Sequence, residues 1–351
     1  MRRRRFDYRP LVLSFLGTVL SGLALLWVLA PPPGVAFGWH DSPDEVAAVK
    51  ALLDVPHFGD TPAGRVALGD DEDVFLWEAA RKVTGDLLPP RDQRDVGSCV
   101  SFATASAVEH LLCVQIAGGT RAAYRDLAQE VIYGGSRVEV GGGRIRGDGS
   151  VGAWAAKFVR DWGVVPRGTY GAIDLTRYDT ARCREYGRSG VPEALETLAR
   201  ESPVKGTALV RSAAEAVKAL RQGYPMAVCS GQGFTMTRDA DGFCRPAGSW
   251  MHAMAIVGYQ AGPRRGFFIL NSWGPTAHKG PVGKGDPSPA GFWADYAVVD
   301  RMLRQEDTWA FSDAVGFPAR PPLVWAARRT ARPPLAALTL EARERPAGMA
   351  F

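Results

Sequence analysis

Cysteine and histidine are scarce, five of each in 351 residues, and none stands in a spacing that holds a metal. There is no CxxC, no HxxxH and no paired Cys/His run of the structural zinc kind. No glycine-rich loop ends in GKS or GKT. Gly141-Gly142-Gly143 lacks the preceding strand and following helix of a dinucleotide turn and reads as loop. Neither a metal nor a cofactor is expected. A basic body is missing too. The formal charge is +5 and the pI about 9.0, but residues 1–30 carry +4 and residues 318–351 another +4, leaving 31–317 at −3. Nucleic acid is excluded as a partner, because the positive charge lies on two tails and not on the body. Glycine and proline, 40 and 25 residues, stay below the share that marks low-complexity chains. The bulk is globular, with length for one large domain or two small ones.

Long apolar runs are also few, and one is decisive. After a basic tail over residues 1–10, the twenty residues Leu11–Ala30 are uncharged and mostly apolar. As a helix they span about 30 Å, one bilayer core. Arginines at positions 2–5 and 9 favour a cytoplasmic N-terminus, which places the rest of the chain outside the cytoplasm. Membrane lipid is thus an expected partner of this single-pass anchor. A cleaved signal peptide, releasing a secreted protein, competes with it. Its apolar core would be about 7–15 residues, and Pro31 directly after Val28-Leu29-Ala30 disfavours cleavage there. Residues 31–74 read as a linker or short pro-segment, with a short helix over 44–54 and a Gly, Asp and Pro rich stretch over 55–74. Residues 306–351 read as a Pro and Arg rich extension.

Chemistry starts where a Pro and Gly rich loop meets a helix beginning near Ser98, whose hydroxyl is placed to cap it. Cys99 falls in the first turn, where free N–H groups and the helix dipole favour a thiolate. Such a thiol needs a base. His110 lies eleven residues along the same helix, about 16 Å away. His40 and His57 sit in the membrane-proximal segment, where a base is poorly placed to serve a fixed site. His278 falls in a seventeen-residue Gly and Pro rich loop with nothing to hold a ring still. His252 remains, at the mouth of the apolar run Ala253–Val257, which reads as a buried strand. A following strand FFILN, joined by a turn, would bring Asn271 back beside it as the group that orients the imidazole.

In this order GSCVSFA, HAMAIVGY and NSWG resemble the three signature blocks of papain-like cysteine peptidases. Gln93, six residues before Cys99, and the stretch from Gly147 to Tyr170 support the resemblance, which covers residues 75–305. It implies an α+β fold of two lobes, one helical and headed by the Cys99 helix, the other barrel-like and carrying His252 and Asn271. It implies an endopeptidase acting on peptides or proteins through a Cys99–His252–Asn271 triad, a thiolate–imidazolium pair and an acyl-enzyme. Gln93 and the Cys99 N–H would form the oxyanion hole. Gly149, Ser150, Met251 and Trp273 would line the substrate cleft. An acyltransferase or ligase on the same fold, and a silent peptide-binding relative, are the alternatives. Departures from the family are Val100 in place of Trp, Val96 in place of a disulfide Cys, and the insertion over 275–291. Outside the cytoplasm Cys229 and Cys244 are the preferred disulfide pair, Cys113 a buried thiol, and Cys183 a thiol exposed to two flanking arginines.

Overall fold

The computed structural model describes residues 36–323 except Pro203, so the expected membrane helix and most of the C-terminal extension lie outside the described residues. The longer helices are α1 (Pro43–Leu53), α2 (Trp77–Thr84), α3 (Cys99–Ala117), α4 (Gln129–Gly135), α5 (Gly152–Asp161), α6 (Thr180–Ser189), α7 (Glu193–Ala199), α8 (Ala213–Arg221) and α9 (Tyr296–Leu303). The strands are β1 (Val74–Phe75), β2 (Thr169–Tyr170), β3 (Ile173–Asp174), β4 (Gly206–Leu209), β5 (Met226–Phe234), β6 (Pro246–Gln260), β7 (Gly266–Leu270), β8 (Gly291–Asp295) and β9 (Thr308–Ser312). Strands β2 and β3 form a small hairpin of their own. The other seven make one antiparallel sheet in the order β4-β9-β5-β6-β7-β8, with β1 added to β6.

The fold is α+β, with two hydrophobic cores. One joins α3, α4 and α5 to one face of the sheet; the other lies within the β-rich half around Trp250, Trp293 and Phe268. Helix α3 has no Gly or Pro and is apolar or small on nearly every side, so it belongs in the middle of a fold. By length and composition it passes as a membrane span, yet it is 83% buried within the protein. It carries Cys99 at its start and packs against β6, the strand of His252. β6 is buried on both faces from His252 onward, and the expected hairpin is present, Ala255 pairing with Leu270. That register sets Asn271 beside His252.

Residues 55–74, expected to link, are packed into the body. Phe58 and Ala63 are fully buried, Phe58 against Phe317 and Tyr224, and Val74 pairs with Tyr259. The Gly, Asp and Pro content of the stretch hides these few apolar anchors. Past residue 306, β9 enters the sheet between β4 and β5, as its TWAFS sequence suits. The expected Cys229–Cys244 disulfide is absent and all five thiols are free. Cys229 belongs to the core shared with the helices and Cys244 to the other, so the two thiols do not face each other. Cys113 is buried as expected; Cys183, expected as a thiol exposed to its two flanking arginines, is buried too, and that burial pushes its thiol up.

Candidate active site

Cys99 stands at the N-terminus of α3 and is fully buried. Ser98 does not cap the helix through its side chain; its hydroxyl turns to Tyr178 Oη at 3.1 Å. Across from it, His252 Nε2 lies 2.9 Å from Asn271 Oδ1, and the Ser272 N–H donates to the same oxygen at 2.7 Å. His252 Nδ1, the other ring nitrogen, has no hydrogen-bond partner among the described residues. Trp273 lies on the imidazole, ring centres 4.5 Å apart, and Trp250 packs edge-on to Trp273 at 4.8 Å. The His252–Asn271 bond is thereby shut away from water, which strengthens it.

Gln93 is held from both sides of its amide. Its Oε1 accepts the Ser272 hydroxyl at 2.6 Å, and its backbone N–H donates to the Ser272 carbonyl at 2.8 Å. Nε2 is then left to donate to the carbonyls of Val96 and Ala36, each at 2.9 Å. The loop bearing Gln93 is pinned to α3 by Arg91, whose guanidinium meets the buried Glu109 at 2.8 Å and Asp126 at 2.8 Å.

The cleft is filled by the chain itself. Residues 36–40 run through it, Gly38 and Trp39 donating to the Met251 carbonyl at 3.1 Å each. Ser150 donates to the Gly38 carbonyl at 2.8 Å and accepts from the His40 N–H at 2.9 Å, a parallel bridge centred on Trp39. Ser150 thus makes the backbone pairing expected around Gly149. Gly149 itself has φ +114°, and a Cβ there would strike the His40 ring at 2.3 Å. The Phe37 ring stands edge-on to His252 at 6.1 Å and to Trp273 at 5.9 Å. The Trp39 indole donates to the fully buried Asp307 at 2.8 Å, which also accepts from Gly152 N at 2.9 Å and Trp309 Nε1 at 2.7 Å. The occupant comes from the stretch 31–74 that reads as a linker or short pro-segment, but it is not the helix α1 of that stretch. α1 docks outside the cleft on α5, Glu45 taking the Trp154 indole at 3.0 Å.

Burial under this segment changes the electrostatics. Desolvation pushes the Cys99 thiol up to about 12, against the backbone N–H groups of Ala253, Gly38 and Val100 that favour the thiolate. It drives His252 down to about 4, the bond to Asn271 opposing. In the covered cleft burial thus favours the neutral thiol and the neutral imidazole over the ion pair that the resemblance implies. Elsewhere His110 is buried away from Cys99 with Nδ1 on the Ser106 carbonyl, and His57 pairs with Lys50.

Sequence reasoning missed three participants. Ser272 was in view within NSWG but without a role. Asp307 lay beyond the assigned boundary, where only its neighbour Trp309 hinted at burial. His278, set aside as unheld, is buried and makes a 3.0 Å hydrogen bond to Asn271. Arg238 fixes its loop by donating to the carbonyls of His278, Pro289 and Gly291.

Compared with known proteins, residues 77–280 match the sequence profile described as papain family cysteine protease. No curated protein matches the sequence. Among solved structures, xylellain, a cysteine protease from Xylella fastidiosa, is 17% identical with a TM-score of 0.49, covering 81% of this chain and 95% of that one. Procathepsin B S9 from Trypanosoma congolense is 14% identical, TM-score 0.49, with 78% and 85% covered. Digestive procathepsin L 3 from the larval midgut of Tenebrio molitor is 14% identical, TM-score 0.46, with 79% and 83% covered.

Proposed function

The chain belongs to the papain family of cysteine proteases, and for this cysteine-type peptidase we propose that Cys99 attacks a peptide carbonyl, His252 moves the protons and Asn271 holds the imidazole. His252 Nε2 donates to Asn271 Oδ1, so its free Nδ1 is the atom that takes the Cys99 proton and later gives it to the departing amine. The Cys99 sulfur forms a thioester with the acyl half of the substrate, and water releases it. Gln93 Nε2 and the Cys99 N–H are aimed at the oxygen that turns negative in the tetrahedral intermediate. One observation supports this best: the chain's own Ala36 carbonyl already sits on Gln93 Nε2, with the neighbouring peptide strung along Met251 and Ser150. The groups that recognise a peptide backbone are therefore in place and in use.

On the same reading residues 36–40 keep the enzyme latent, and activity requires their departure from the cleft. Membrane tethering through Leu11–Ala30, with the peptidase outside the cytoplasm, completes the proposal; the arginines before that apolar run support it. A thiol-reactive epoxide carrying a peptide should label the protein once the cleft is opened, and should not label Cys99→Ala. Labelling that persists in the variant would remove Cys99 from the nucleophile's role. Alkaline extraction of membranes should leave the full chain in the pellet, and its appearance in the supernatant would rule out the anchor.

A further inference from the structure

We propose that His278 is a positioning residue, which locks the Asn271 amide in the one orientation that can hold His252; this rests on the triad reading above. The orientation of an amide is decided by its partners. At Asn271 the orientation is read from the Ser272 backbone N–H, which can only donate and lies 2.7 Å from Oδ1. The other atom is therefore the NH2 group, and it points at His278 Nε2 at 3.0 Å. Nε2 must then accept. His278 is thus neutral, with its proton on Nδ1, where Cys244 Sγ stands at 3.7 Å and the Thr235 backbone also bonds the ring. Burial keeps it neutral, pushing it down to about 3, with Arg238 and His252 adding to the effect.

The consequence runs outward along the chain of bonds. With Nδ2 engaged by His278, Oδ1 accepts from both Ser272 and His252, so His252 carries its proton on Nε2 and leaves Nδ1 open towards the cleft. If His278 presented an N–H instead, a donor would face the Asn271 NH2 group. The amide could be satisfied only by turning over, which would set its NH2 against the Ser272 N–H and against His252. Two histidines of opposite tautomer thus flank one asparagine, whose orientation the Ser272 N–H and His278 Nε2 fix from opposite ends and which passes that choice to the inner ring. The ring is held for this task by Phe292, centre to centre 4.7 Å, and by the Arg238 clamp on its loop.

Three measurements test this. In His278→Phe the ring packing is kept and the acceptor is lost, and kcat should fall roughly ten- to hundred-fold with KM nearly unchanged. His278→Gln, whose side-chain oxygen can accept from Asn271, should recover a large part of that loss. Nitrogen NMR of the histidine-labelled unsubstituted protein at neutral pH should show His278 protonated on Nδ1 and His252 on Nε2. A His278 proton on Nε2, or a His278→Phe enzyme with unchanged kcat, overturns the proposal. Asn271→Ala separates the two levels. If it lowers kcat while His278→Phe does not, the triad stands and the positioning role fails; if Asn271→Ala itself has no effect, the triad reading fails first.

Discussion

At the scale of single residues, Gln93 spends both ends of its amide, and this makes its removal informative. In the proposed role, replacing it by Ala should lower kcat by about 10²- to 10³-fold, the cost of losing one preorganised oxyanion donor, with a smaller loss of thermal stability because the Ser272 hydroxyl and the Val96 carbonyl lose a buried partner. Steady-state kinetics on the uncovered enzyme check this, and a change in KM alone would contradict it. Arg91 makes the opposite prediction. Its loss leaves Glu109, wholly buried, without its cation, and removing one member of a buried pair costs about 3–5 kcal/mol. Arg91→Ala should therefore show its effect in urea denaturation, and a variant as stable as the parent would mean that the pair contributes nothing. Cys99 and Asn271 were legible because each stands at the junction of a loop and a regular element, and His252 because it opens the apolar, fully buried run of β6. His278 was not, since what holds it is Arg238, forty residues away in sequence, and a loop's own composition says nothing of such a clamp.

At the scale of elements, the segment over 36–40 matters more than any helix. Gly38 fits because it has no side chain: a Cβ there would lie 1.9 Å from the Gly97 carbonyl oxygen, a backbone atom beside the start of α3 that has little room to give. Gly38→Ala should expel the segment, so that the full-length variant hydrolyses a fluorogenic peptide faster than the parent from the first seconds of an assay. Equal initial rates would show that the segment does not limit access. The sequence made the β6–β7 hairpin legible through its two apolar runs. It did not reveal the course of residues 36–40, since five residues carry no periodicity and their conformation is dictated by the groove they enter. For the same reason 55–74 resembled a linker: Phe58 and Val74 are separate anchors, not a pattern.

At the scale of the whole molecule, three buried histidines set the response to acid. Burial lowers His110 and His252 to about 4 and His278 to about 3, from an ordinary value of 6.5. Below pH 6.5 the unfolded chain takes up protons that the folded chain refuses, so stability is whole above 6.5 and is lost as the pH falls towards 4. For His110 and His252 the loss is on the order of 3 kcal/mol each. Urea midpoints should therefore drop steeply between pH 7 and pH 5, with net proton uptake on unfolding; a flat profile would contradict the burial of these rings. Opening of residues 36–40 relieves the His252 share without unfolding the rest, so acid should favour the uncovered form before it denatures the protein.

From His40 the chain continues without interruption into α1, which is fastened to α5 through Glu45. The occupant of the cleft is thus leashed a few residues from its own seat. A tethered peptide of this kind competes at a local concentration of the order of millimolar, whatever the dilution of the protein. Escape is a unimolecular event, and one cut between His40 and α1 turns it into dissociation. On the proposed latency, the difference between a silent and a working enzyme amounts to the loss of a leash, with no change of fold.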